Sequence, residues 1–111
     1  MSDQLPDVDN AALEALRELM QEDYPLLLET FLGDAKLRLS QLREALVNED
    51  LEAYRQAAHS FKGSCGNMGA LALERACLNA ENAALQGDTA DASYCYSRIR
   101  ERFTRLQAQL S

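Results

Sequence analysis

The chain has 111 residues, with 18 acidic and 11 basic side chains and a net charge of −7. That length makes one domain spanning 1–111, large enough to bury a core without metal or disulfide staples. The acidic balance excludes a nucleic-acid phosphate backbone as the natural partner, and no apolar run approaches the ~20 residues that span a bilayer.

Residues 1–8 are polar and acidic and are expected to be loose; they do not resemble a secretory leader, so a cytoplasmic protein is expected. Asp7 or Asp9 then caps a short first helix to about Met20, with Leu13, Leu16 and Met20 on one stripe. Asp23 before Tyr24-Pro25 reads as the cap of a second helix, with proline in the first turn where its missing N–H costs nothing. That helix runs to about Val47 on a stripe of Leu28, Leu32, Ala35, Leu39, Leu42 and Leu46, widened by Leu27 and Phe31. Gly33 inside it has no evident reason. Asp50 caps a third helix that ends between Asn67 and Gly69. A fourth runs from about Ala70 to Gln86 with Leu73, Cys77, Ala80 and Ala84 inward, closed by Gly87. A fifth starts at Asp88 or Thr89 and turns Ala92, Cys95 or Tyr96, Ile99, Phe103, Leu106 and Leu110 inward. β-branched residues are rare and no segment alternates, so strands are not expected. The fold class is all-α: an antiparallel up-down-up-down four-helix bundle with the short extra N-terminal helix across one end. Cys65, Cys77 and Cys95 are odd in number and irregularly spaced, which suits neither a zinc site nor a disulfide framework; they read as reduced core residues.

At about 100° per residue, Leu51, Tyr54, Ala58, Phe61, Cys65 and Met68 form the core face of the third helix. His59, the one histidine in the chain, points the opposite way, with Glu52, Arg55, Gln56, Lys62, Gly63 and Gly66 as neighbours on the wheel. Lys62 is one turn on and faces solvent, within reach of the ring. Gly63 leaves a steric clearing beside it, at roughly 0.5–1 kcal/mol relative to alanine. A lone surface histidine is usually a bystander, and glycines often mark a fraying helix end. Gly63 resists that reading because Phe61 and Cys65 carry the core stripe past it. An imidazole beside a cation and a clearing suits an incoming phosphoryl group, whose oxygens the cation offsets.

The stretch His59-Ser60-Phe61-Lys62-Gly63-Ser64-Cys65-Gly66-Asn67-Met68-Gly69-Ala70 resembles the signature of histidine-containing phosphotransfer (HPt) domains. His59, Lys62, Gly63, Ser64 and Gly69 match, Ala57-Ala58 upstream also fit, and Cys65 departs slightly from the usual Ser or Ala. The resemblance implies a free-standing phosphocarrier of a two-component phosphorelay. His59 would take a phosphoryl group through Nε2 from the aspartate of one receiver domain and pass it to another. Partners would be the receivers of response regulators and of hybrid sensor histidine kinases. Lys62 would steady the phosphate oxygens and Gly63 would admit the receiver's loops, while Gln56, Arg55 and Asn67 are candidates for orienting ring or phosphate from wheel position. Docking by resemblance falls on an apolar patch, here Leu13, Leu16, Met20 and Leu27, which core packing explains equally well. This chain binds no cofactor in that reading. The resemblance implies that magnesium is held by the receiver; in this chain only Glu52 is expected near His59, and one carboxylate is a poor octahedral site.

Other chemistries fit poorly. The glycines are spaced G-x-x-G-x-x-G rather than as a phosphate loop, so no kinase or other enzyme is expected. Ser60 and Ser64 point away from His59, which excludes a triad, and one histidine with core cysteines makes no metal site. The competing class is a helical adaptor that binds without chemistry. No extra apolar stripe calls for self-association, so a monomer is expected.

Overall fold

The computed structural model describes residues 5–110, and among these it contains helices and turns but no strand. Helix α1 spans Asn10–Met20, α2 Tyr24–Val47, α3 Leu51–Asn67, α4 Leu71–Leu85 and α5 Thr89–Leu110. The boundaries follow local chemistry. The side chain of Asp9 accepts from the Ala12 amide at 3.2 Å to cap α1, and Asp50 accepts from Ala53 at 3.0 Å to cap α3. Asp88 accepts from Asp91 at 2.9 Å at the start of α5. Each carboxylate satisfies an amide that the first helical turn leaves without a partner. Asp23 behaves differently from expectation. It makes no capping bond: the 3-10 turn over Gln21–Asp23 leaves its backbone helical (φ −84, ψ −6) rather than in the non-helical conformation from which a cap side chain accepts from the amides that follow; Pro25 does occupy the first turn.

The turn between α3 and α4 locks the N-terminal segment in place. Gly69 sits at φ +66, where a side chain is strained, and the Ala70 amide donates back to the Cys65 carbonyl at 3.0 Å. The Gly69 carbonyl accepts from the Asp9 amide at 2.8 Å, and the Ala72 amide donates to the Pro6 carbonyl at 3.1 Å. Thus the residues that lead into α1 are tied to this turn. The expected loose segment at 1–8 is only partly testable, since residues 1–4 lie outside the described residues. Beyond them, Val8 is buried, and Asp7 accepts from Arg105 at 2.6 Å and from Gln109 at 2.8 Å, so the chain is anchored earlier than its polarity suggests.

Helices α2–α5 form the up-down-up-down bundle: α3 packs on α4 and on α2, α4 on α5, and α5 closes against α2. Tyr54, Phe61, Leu42, Leu73, Ile99, Leu106, Cys65 and Cys77 are its most deeply buried side chains. Burying each large one is worth roughly 1.5–3 kcal/mol relative to exposure. Ala72, Ala76, Ala80, Ala83 and Ala84 line the buried side of α4, which allows it to approach α3 and α5 closely. The Tyr54 hydroxyl donates to the Ala92 carbonyl at 2.6 Å and ties α3 to α5. Of the two alternatives on α5, Cys95 is buried and Tyr96 only partly so. All three cysteines are free and buried. Gly33 is exposed, and a Cβ there would meet nothing within 4 Å, so packing does not require it. Among the described residues no helix is long and apolar enough to cross a membrane.

Candidate functional site

The burial of Tyr54, Ala58, Phe61 and Cys65 fixes the rotation of α3 and turns His59 outward, with 62% of its side chain exposed. The ring is nonetheless held. Its Nδ1 lies 2.8 Å from Oε2 of Glu81 on α4, and the other oxygen of Glu81 accepts from the Lys62 ammonium, also at 2.8 Å. The Glu81 side chain is only 11% exposed. The Lys62 hydrogen bond is the main influence holding its carboxyl below the usual carboxylate range; burial opposes it and the bond to His59 assists. An ionised carboxylate can only accept, so Nδ1 must carry the proton. In the neutral ring the lone pair is then on Nε2, the nitrogen that Glu81 does not engage, on a side chain that is 62% exposed. The carboxylate thereby selects the tautomer with an accessible nucleophile.

Glu81 is the residue that sequence reasoning missed. The expectation of no acidic group beside the ring except Glu52 is wrong. The available signal was its register: Glu81 is one turn beyond Cys77 and adjoins Ala80, on the inward stripe of α4, where an unpaired carboxylate is costly. Lys62 also differs from expectation. It is half-buried and committed to Glu81 rather than projecting into water.

The two glycines separate. A Cβ on Gly63 meets nothing within 4 Å, so the clearing next to His59 is open. A Cβ on Gly66 would fall 2.8 Å from Oε2 of Glu74, so α4 fills that second gap. The orienting candidates are not brought to the ring. Arg55 forms a two-pronged pair with Glu52 at 2.9 and 2.7 Å, and Gln56 donates to the same carboxylate at 3.1 Å. Those bonds, that to Arg55 foremost, hold Glu52 at about 2. Asn67 ends α3, about 12 Å along the axis from His59 at 1.5 Å per residue. The Ser64 hydroxyl faces α2, where it donates to Asp34 at 3.1 Å.

Leu13, Leu16 and Leu27 pack partly buried against the core, and Met20 is half-buried. The large apolar side chains of α1 and α2 that are exposed are Leu19, Leu26, Leu37 and Val47, whereas the docking candidates Leu13, Leu16 and Leu27 also take part in core packing. The carboxylates of Glu81 and Glu52 are both engaged by cationic or amide donors, and among the described residues no group of three His, Cys, Asp or Glu side chains is placed to hold a metal.

A four-helix bundle that presents one held but exposed imidazole, beside a lysine and a bare helical position, is the architecture of a histidine phosphotransfer domain. The chain belongs to the Hpt domain family, which it matches over residues 26–109. It is also similar to histidine-containing phosphotransfer protein B from Pseudomonas aeruginosa PAO1. The crystal structure of that protein superimposes with a TM-score of 0.91 and 36% sequence identity, covering 96% of this chain and 92% of that one. No curated protein matches the sequence. The chain therefore has a histidine phosphotransfer role in a phosphorelay, in a family of phosphocarriers rather than kinases that works with receiver domains of two-component systems.

Proposed function

We propose that Nε2 of His59 carries the phosphoryl group between receiver-domain aspartates. One observation carries the reading: Nδ1 is engaged by Glu81 while most of the ring is open to solvent. Nε2 attacks the phosphorus of an aspartyl acyl phosphate, the P–O bond breaks, and its electron pair leaves on the aspartate carboxylate. Lys62 turns from Glu81 toward the phosphoryl oxygens and offsets their charge. The open position at Gly63 lets the receiver's loops come close to the ring. Receivers of response regulators and of hybrid sensor kinases supply and accept the group, and the receiver holds the magnesium. The chain works as a cytoplasmic monomer and turns over no nucleotide of its own.

The test is incubation with a phosphorylated receiver domain. Acid-labile, alkali-stable phosphate on the wild type and none on His59→Gln supports the carrier. Equal binding with no label on either protein makes the chain an adaptor instead.

A further inference from the structure

We propose that Glu81 keeps the Nδ1 proton on His59 throughout the transfer cycle, so that the phosphorylated ring stays cationic and its N–P bond stays easy to break. This inference rests on His59 being the phosphoryl carrier.

Attack by the neutral ring uses the Nε2 lone pair to form the N–P bond, and the ring becomes cationic with its Nδ1–H retained. In onward transfer a receiver carboxylate attacks phosphorus, the N–P bond breaks, and its electron pair returns to Nε2 to give the same neutral ring. No proton moves in either direction. If Nδ1 lost its proton while phosphorylated, the group expelled would be an imidazolate anion, a far poorer leaving group. The carrier is therefore discharged readily only while Nδ1–H persists.

The charges around the ring favour that persistence. On α4, Glu81 contacts Nδ1 directly at 2.8 Å and is largely shielded from water. On α3, Lys62 reaches the ring's surroundings through the far oxygen of Glu81, and Arg55 is neutralised by Glu52. On α2, Asp34 is turned to Ser64 and Arg38. Because Coulomb energy falls with distance, the carboxylate in contact outweighs the lysine behind it. Phosphorylation strengthens the bias: when Lys62 moves to the phosphoryl oxygens, Glu81 is left to the cationic ring. One exchange of partners matches each charge. A neutral amide at this position would accept the same hydrogen bond without the charge.

The experiment uses the full chain, phosphorylated with potassium phosphoramidate so that labelling does not depend on a receiver. The 15N signals of His59 are followed against pH in the wild type, Glu81→Gln, Lys62→Gln and the double variant, alongside transfer rates to a magnesium-loaded receiver. Glu81→Gln is expected to lower the protonation midpoint of the phosphorylated ring by on the order of one pH unit, a tenfold loss of proton affinity. Transfer then matches wild type at low pH and falls about tenfold behind it above the midpoint. The shift persists between Lys62→Gln and the double variant. Coincident titrations overturn the inference, as does a shift that vanishes in the Lys62→Gln background, or an Glu81→Gln defect equal at every pH. Absence of an N–P signal on His59 in the wild type overturns the carrier reading and this inference together.

Discussion

Replacing Gly63 separates the stability of α3 from its use. In mid-helix an exposed glycine leaves the unfolded chain more freedom than alanine does, and nothing within 4 Å would meet the added Cβ. Gly63→Ala is therefore expected to stabilise the fold by roughly 0.5–1 kcal/mol. For a chain of 111 residues that corresponds to a rise in Tm of about 2–4 °C. Gly63→Gln keeps most of the gain, since glutamine is also a good helix former, but extends a flexible side chain over the space beside His59. Calorimetry should show both variants at or above wild-type Tm. Phosphotransfer kinetics should show Gly63→Gln weakened through KM for the receiver, with Gly63→Ala intermediate. A folded Gly63→Gln variant that transfers as fast as wild type would refute the steric account; a destabilised Gly63→Ala would refute the open space itself.

Lys62→Ala is expected to slow transfer and also to cost on the order of 1–2 kcal/mol, because it strips a charge-assisted hydrogen bond from a shielded carboxylate; an unchanged Tm in denaturation would contradict this. Acid should act through Glu81 and Asp7, whose carboxyls are held below their usual 4.5 and 3.8, chiefly by Lys62 and by Arg105. A folded-state value below the unfolded one contributes stability that is complete above about pH 4.5 and is lost as pH falls through the folded value. Tm against pH should drop below that point, less steeply in Glu81→Gln; parallel curves for the two proteins would count against it. Gly69→Ala places a side chain at φ +66, 3.3 Å from the Cβ atoms of Ala12 and Asp9. It should cost about 1–2 kcal/mol and loosen α1, seen as faster amide exchange at Asp9.

The bundle was legible in the sequence because each helix carries its own local signal. Apolar stripes set the buried faces, and Asp9, Asp50, Asp88, Gly69 and Gly87 mark the ends by chemistry that acts within a few residues. Asp23 misled because its carboxylate suits a cap while its backbone is already wound into the preceding turn. The site was half legible. His59, Lys62 and Gly63 share one helix face, so periodicity brings them together. Glu81 is 22 residues from His59, and only the packing of α4 on α3 joins them. Wheel position placed Arg55 and Gln56 near the ring, but Glu52, one turn away on the same helix, outcompetes it for both. The docking candidates Leu13, Leu16, Met20 and Leu27 were hard to read for a related reason: an apolar residue in an amphipathic helix reads alike whether it faces a core or a partner.

The most direct measurement is the position of phosphorus on the ring. Wild-type protein labelled by a phosphorylated receiver should give a 15N–31P coupling to Nε2 of His59, with Nδ1 still protonated. Phosphorus on Nδ1, or on any residue other than His59, would contradict the arrangement described.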